Sequence, residues 1–411
     1  MIRKILVVFF VMMTMGLISE ELKVKHVKDV THGAVLSMPK DPFGYFAWPS
    51  IVRQKDGTLC VVASGFRKTH VCPWGRTVIT KSKDNGKTWS FPKIINNSPI
   101  DDRDAGIVDL GSGRLAVTWF TSNTRHLLYS RYRKRDGSWP ANLKSFLTVV
   151  NTWTPEMIER ELGSWTRVSE DGEYWGEVRR APVTSPHGFI VLKDGSWLYL
   201  GKQWENTGKG TELTGRSDTE ICAARSTDEG KTWQIIGTVP RPKYIKANTC
   251  HEPHVLELAD GALLGVIRVE GAYQVINGAN ASVLNKAPRN EYDFRTMVTR
   301  SNDGGRTWSE MEEIGAKGAP PHLLRHSSGA IVCVFGYRRR PFGQHCMISY
   351  DEGKTWSEEY VLRDDSATRD LGYPASVELK DGSIFTIYYQ HEGTSVRSSI
   401  LWTRWKLPER E

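Results

Sequence analysis

His251-Glu252-Pro253-His254-Val-Leu-Glu-Leu-Ala-Asp260-Gly261-Ala-Leu-Leu-Gly-Val266 decides how this chain folds. An apolar run, an Asp-Gly bend and a second apolar run read as strand, tight turn, strand. Pro253 lies eight positions before the turn glycine. The same spacing recurs from Pro49 to Gly57, Ala105 to Gly113, His187 to Gly195, Pro321 to Gly329 and Pro374 to Gly382. Six hairpins at intervals of roughly 50 to 80 residues form a radial array, and the radial all-β array is the propeller. The expected architecture is all-β, a six-bladed β-propeller. Its innermost strands start around one axis, so the residues that should meet can be named in advance.

The chain has 411 residues, a length that would allow two or three domains. The repeats run almost end to end, so residues 21–411 are read as one closed domain. Residues 1–20 read as a signal peptide: Arg3 and Lys4 precede the apolar run Ile5 to Ile18, which is short for a membrane span. Export to a periplasm or the extracellular space follows, with no stable span once the segment is removed. The formal net charge is +8, with one basic cluster at Arg338-Arg339-Arg340 and no nucleic-acid module around it. The six cysteines match no metal spacing. Cys60 and Cys72 fall in one predicted blade and are candidates for a disulfide, against the competing reading of free buried thiols. The topology expects a segment near Lys23 to Val30 to close the ring on Ser398 to Trp405.

A second repeat interleaves with the first. Ser82-Lys-Asp84-Asn-Gly86-Lys-Thr88-Trp89 returns at Ser226 to Trp233, Ser301 to Trp308 and Ser349 to Trp356, with a damaged copy at Ser169 to Trp175. The Ser and Asp side chains can bond the turn's own amides, glycine supplies positive φ, and the Trp fills apolar space. The motif is too short for an EF-hand and lacks its terminal Glu, so no calcium is assigned to it. It resembles the Asp-box, or bacterial neuraminidase repeat, of the sialidase superfamily. The resemblance runs from about residue 45 to the end. It implies four-stranded blades with the boxes on outer hairpins, and Asp84, Asp228, Asp303 and Asp351 as scaffold.

Function is read from the ring. The residues just before each eight-residue unit are Trp48, Asp104, Pro186, Glu252, Pro320 and Tyr373, and His187, His254 and His322 lie at or just after the start. Convergence of titratable groups on one funnel marks a candidate site. His251-Glu252-Pro253-His254, followed by Arg268, looks like the sialidase segment that carries the catalytic Glu and an Arg. Asp370-Leu-Gly-Tyr373-Pro-Ala-Ser looks like the segment that carries the catalytic Tyr. The resemblance implies Tyr373 as nucleophile and Glu252 as the base that activates it, the tyrosine exception among glycosidases. It also implies arginines on a substrate carboxylate, for which a guanidinium fork is suited. Arg268, Arg338 and Arg67 are the candidates.

The chain departs from the family pattern in blade 1. Trp48 stands where members open with an arginine, and the loop from Gly65 to Arg76 holds no carboxylate to act as acid. Asp104 is the replacement read from the second blade, with His70 a weaker substitute. Trp48 and the three ring histidines are read as substrate contacts in an altered sugar pocket. His251-Glu252-Pro253-His254 is not H-E-x-x-H, and a strand sets its histidines on opposite faces, so no metal is assigned. No cofactor motif is read. The expected activity is an exported exo-glycosidase that releases a terminal sialic or related acidic sugar from glycans, with retention. Two alternatives stand beside it. One is a lyase, or a hydrolase of uronate- or rhamnose-bearing glycans, on the same scaffold. The other is a non-catalytic glycan-binding propeller.

Overall fold

Six small antiparallel sheets surround one axis in the computed structural model, which describes residues 25–204, 219–272 and 292–410. The leader read over residues 1–20 lies outside the described residues. Each expected hairpin forms the inner two strands of a blade. Blade 1 is Tyr45–Arg53, Leu59–Arg67, Arg76–Ser82 and Lys93–Asn96; blade 2 is Asp101–Gly111, Arg114–Ser122, Ser164–Ser169 and Arg179–Ala181. Blade 3 has a broken inner edge, Val183–Thr184 and Ile190–Val191, paired with Trp197–Gln203 ahead of Ile221–Ser226 and Gln234–Thr238. Blades 4, 5 and 6 start at Cys250–Glu257, Pro321–Arg325 and Gly372–Glu378. Blade 1 packs on both blade 2 and blade 6, so the ring is closed.

Closure is made by Thr31–Leu36, which pairs antiparallel with Ser398–Trp405. This corrects the expected partner segment, Lys23 to Val30. Val35 and Leu36 carry the buried side chains of the closing strand, whereas Lys25–His26 joins the edge of blade 5 in parallel with Tyr360–Val361. The pairing covers the edge of Ser398–Trp405 and leaves only the short outer edge that a propeller blade retains.

The core is divided among the blade interfaces. Val62 and Ile79 of blade 1 meet Ile107, Val117 and Trp119 of blade 2, and Leu198 and Leu200 of blade 3 meet Val255, Ile267 and Met297 of blade 4. Similar clusters fill the other interfaces. The Asp-boxes brace these joints. Ser82 Oγ donates to Asp84 and accepts from the Gly86 amide, while Asp84 accepts from the Thr88 amide and hydroxyl. The boxes at Asp228, Asp303 and Asp351 repeat this pattern. Gly86 has φ +84°, and a Cβ there would meet the Phe385 ring of the preceding blade at 2.5 Å, so both conformation and close approach require glycine. All six cysteines are buried and free; the Cys60–Cys72 pair is not formed.

One element is not propeller. Between the second and third strands of blade 2 the chain forms helices Arg125–Tyr132, Lys144–Val150 and Pro155–Glu161. The third starts with Thr154 capping the Met157 amide and Pro155 in the first turn. Leu128, Phe146, Val150 and Ile158 bury against Val71 and Cys72 of the blade 1 loop. This insertion forms a helical cap over blades 1 and 2.

Candidate functional site: a tyrosine–glutamate pair in a capped funnel

Four inner strands bend at the same place. Trp48, Asp104, Glu252 and Tyr373 have φ of 53°, 50°, 51° and 55°, a region that non-glycine residues seldom occupy. The inner-strand register slips beside each of them. A bulge of this kind re-aims a side chain, at a conformational cost of roughly 1–3 kcal/mol per residue, and such strain clusters at functional sites. The same local distortion thus sets four of the six positions that the repeat singles out.

Asp104, Glu252 and Tyr373 line one cavity of about 290 Å³, at the small end of the roughly 300–1,000 Å³ range of small-molecule pockets. Arg268, Glu270, His251, His70, Arg103 and Lys202 share its walls, and the cap contributes Leu127 and Arg131. The Tyr373 hydroxyl donates to Glu252 Oε1 at 2.5 Å. Arg268 Nη1 donates to the other Glu252 oxygen and lies 3.2 Å from the Tyr373 hydroxyl. Its Nη2 is bonded to Glu270, whose other oxygen is 3.2 Å from His251 Nε2.

Electrostatics separate two acids of the funnel wall, Asp104 and Glu270. Burial pushes Asp104 up to about 7, with Arg103 pulling the other way and Glu252 adding to the rise. Its Oδ1 is buried without a hydrogen-bond partner. Burial opposes ionisation of Glu270 too, but Arg268 and His251 hold it well below the usual carboxylate range. Burial, with Glu252 and Asp104 nearby, raises Tyr373 well above the ordinary phenol value. Tyr373 is therefore a neutral phenol at rest, hydrogen-bonded to a carboxylate that can take its proton during attack, beside a carboxyl that keeps about half of its proton population at neutrality.

Several expected contacts are not brought to the funnel. Arg67 is fully buried and bonded to both oxygens of Asp101 at 2.5 and 3.0 Å, so its fork is engaged inside the scaffold. Arg338 does not line the cavity; it donates to the Ala319 and Leu371 carbonyls at 2.5 and 2.7 Å, with its guanidinium 6.0 Å from the Tyr373 ring centroid. Trp48 is only 1% exposed, with the Arg103 and Arg67 guanidiniums 4.2 and 4.8 Å from its ring. His187, His254 and His322 do meet, with ring centroids 4.2 to 5.5 Å apart. They form a buried plug outside the cavity lining. Burial drives His254 down to about 3 and the other two well below the usual value. His254 Nδ1 accepts from the Leu323 amide, which requires an unprotonated Nδ1.

Sequence reasoning missed Asp370 as a functional neighbour. Its carboxylate gathers the Tyr45 hydroxyl at 2.8 Å, His70 Nδ1 at 2.9 Å, the Tyr389 hydroxyl at 3.0 Å and His391 Nε2 at 3.3 Å. Burial works against it, yet His70, His391 and Tyr45 keep it well below its ordinary value. The partners come from blades 1 and 6, and no linear motif spans them. His70 lines the funnel while Asp370 holds its Nδ1.

Comparison with known proteins bears on the family and the fold. A model of the BNR repeat-like domain matches residues 142–387. The chain belongs to the BNR repeat-like family. A sialidase of Paraclostridium sordellii is 23% identical over 247 residues, 55% of this chain and 53% of that protein. This BNR repeat-like chain spans about half the length of the curated relatives it matches. Among solved structures, a Dyadobacter fermentans protein of unknown function superposes with TM-score 0.69 at 21% identity, covering 93% of this chain and all of that one. The NanB sialidase of Streptococcus pneumoniae superposes with TM-score 0.60 at 13% identity, covering 91% and 70%. At these identities the structural likeness shows the fold alone, a propeller of the kind found in NanB sialidase.

Proposed function

We propose that this protein is an exported glycoside hydrolase of sialidase type, releasing a terminal acidic sugar from a glycan through Tyr373. The observation that carries the reading is the Tyr373 hydroxyl held 2.5 Å from Glu252 inside the funnel. In the proposed first step the phenol oxygen attacks the anomeric carbon while its proton passes to Glu252. The bond to the leaving oxygen breaks, and Asp104 protonates that oxygen. Arg268 stabilises the charge that develops between Tyr373 and Glu252. Water then enters, gives a proton to Asp104 and displaces Tyr373, which recovers its proton from Glu252. Two displacements at one carbon give retention. A neutral phenol suits an anionic sugar because it approaches without charge repulsion.

The test is release of free sugar from sialyllactose and a sialylated glycoprotein by wild type and Tyr373→Phe. Release by wild type and its loss in the variant support the reading. Release retained by the variant refutes the nucleophile, and no release by wild type refutes sialic acid as the sugar. A second reading rests on His70, whose Nδ1 is fixed by Asp370 and whose Nε2 has no partner among the described residues. Such a base suits proton abstraction beside a uronate carboxylate, and a lyase of that kind would generate an unsaturated product that absorbs in the ultraviolet.

A further inference from the structure

The cations around the funnel differ in how fully their donors are engaged. Arg268 is held between Glu252 and Glu270, Arg338 bonds two backbone carbonyls, and Lys202 donates to the Ala247 carbonyl at 2.6 Å. Arg67 binds Asp101 through both Nη atoms and also reaches Ser64 and the His70 carbonyl. Arg103 is the exception. It lines the funnel beside Asp104 and is only 7% exposed; its Nε is buried without a partner, as are those of Arg67 and Arg268, but its Nη atoms lack the close carboxylate that those two have. Its one carboxylate contact among the described residues is a long one, 3.5 Å from an Asp101 oxygen already bonded by Arg67.

A guanidinium this buried and this poorly paired is expensive to hold in place without a counter-charge. What positions it is Trp48. The indole face lies 4.2 Å from the Arg103 carbon centre, and the Arg67 guanidinium lies 4.8 Å from the same indole. Stacking on an aromatic face orients a guanidinium while leaving its in-plane N–H groups free to bond. The tryptophan that stands where a family arginine was expected thus supports an arginine from the next blade.

We propose that Arg103, stacked on Trp48, is the receptor for the substrate's carboxylate in this funnel. This deepens the acidic-sugar reading given above and rests on it. The ligand class is a sugar bearing a carboxylate on its ring, either an ulosonic acid or a uronic acid. The pairing adds a close counter-charge to the long contact that Arg103 makes with Asp101, so it favours the anion over any neutral analogue of the same shape. Arg131 sits exposed at the cap rim, where it would attract the anion but pair with it weakly.

The test is calorimetric titration of the whole protein with N-acetylneuraminic acid and its methyl ester, and with glucuronic acid and its methyl ester. Wild type should bind at least one acid 10-fold or more tightly than its own ester, and the sugar that shows the preference identifies the source. Arg103→Gln should bind that acid and its ester alike. Arg103→Lys should restore part of the preference, because an ammonium supplies charge without the fork; it also serves if the glutamine variant fails to fold. Arg131→Ala should keep most of the preference. The proposal is overturned if Arg103→Gln retains the preference, or if wild type binds neither acid or favours neither over its ester. Equilibrium binding needs no turnover, so failure here is separable from failure of Tyr373→Phe to abolish sugar release.

Discussion

Replacing Asp104 by asparagine should separate activity from stability in opposite directions. Burial raises this carboxyl from an ordinary value of 3.8 to about 7. Because the folded state holds the proton more tightly than the unfolded state, stability is fully present below pH 4 and is lost as pH rises to 7. The loss is roughly 4 kcal/mol, from about three pH units at 1.36 kcal/mol each. The amide of Asp104→Asn is neutral throughout. The melting temperature of this variant relative to wild type should therefore rise between pH 4 and pH 8.5, by about 5 °C for a domain of this size. Activity should move the other way. Wild-type kcat/KM for a substrate with a poor leaving group should fall about tenfold per pH unit above 7, as the acid is lost. Asp104→Asn should lie roughly 10²–10⁴-fold lower, with a smaller deficit on aryl glycosides whose leaving oxygen needs no proton. Arg103 lowers the Asp104 value, so Arg103→Gln should shift the alkaline limb to higher pH. Differential scanning calorimetry and pH–rate profiles read both effects. An unchanged melting difference across this range, together with a flat wild-type profile from pH 6 to 9, would refute a neutral Asp104 acting as the acid.

The histidine plug should make the fold acid-sensitive. The unfolded His254 imidazole binds its proton near 6.5 and the folded one only near 3, so stability is lost as pH falls through that window, by roughly 2 kcal/mol at pH 5 for this residue alone. His254→Gln should flatten the difference between urea midpoints at pH 7.5 and pH 5; an unchanged difference would exclude the plug as its source. Asp370→Asn leaves four donors facing a neutral amide and should cost roughly 2–4 kcal/mol above pH 4. That cost should vanish as pH falls and the wild-type carboxylate is protonated, which melting curves across pH would read. Asp351→Ala removes the bonds that hold the blade 5 box and should lower the melting temperature with no change in kcat/KM, since the box lies outside the funnel; a matching loss of activity would place it differently.

The propeller was legible because its determinants are local and repeated. A turn glycine eight residues after a strand start needs only near neighbours, and six copies of the hairpin with four intact Asp-boxes leave little choice of architecture. The convergence of Asp104, Glu252 and Tyr373 was legible for the same reason: equivalent positions in a radial array must meet. The helices from Arg125 to Glu161 were not read, because they are an insertion in one blade and follow no repeat. Their apolar faces make sense only against Val71, Cys72 and Ile100.

The sequence by itself determined the residue types at the axis and the spacing that brings them there. The tertiary structure alone decided which cations are available. Arg67, Arg103, Arg268 and Arg338 are alike as letters, and their roles depend on which carboxylates and carbonyls lie within hydrogen-bond reach of each fork. Those partners come from other blades or other parts of a strand, as Asp101 does for Arg67 and Leu371 for Arg338. The same holds for the three histidines, expected as contacts and found as a buried plug. Charge availability is a property of long-range packing and desolvation, and neither is written in the spacing of a motif.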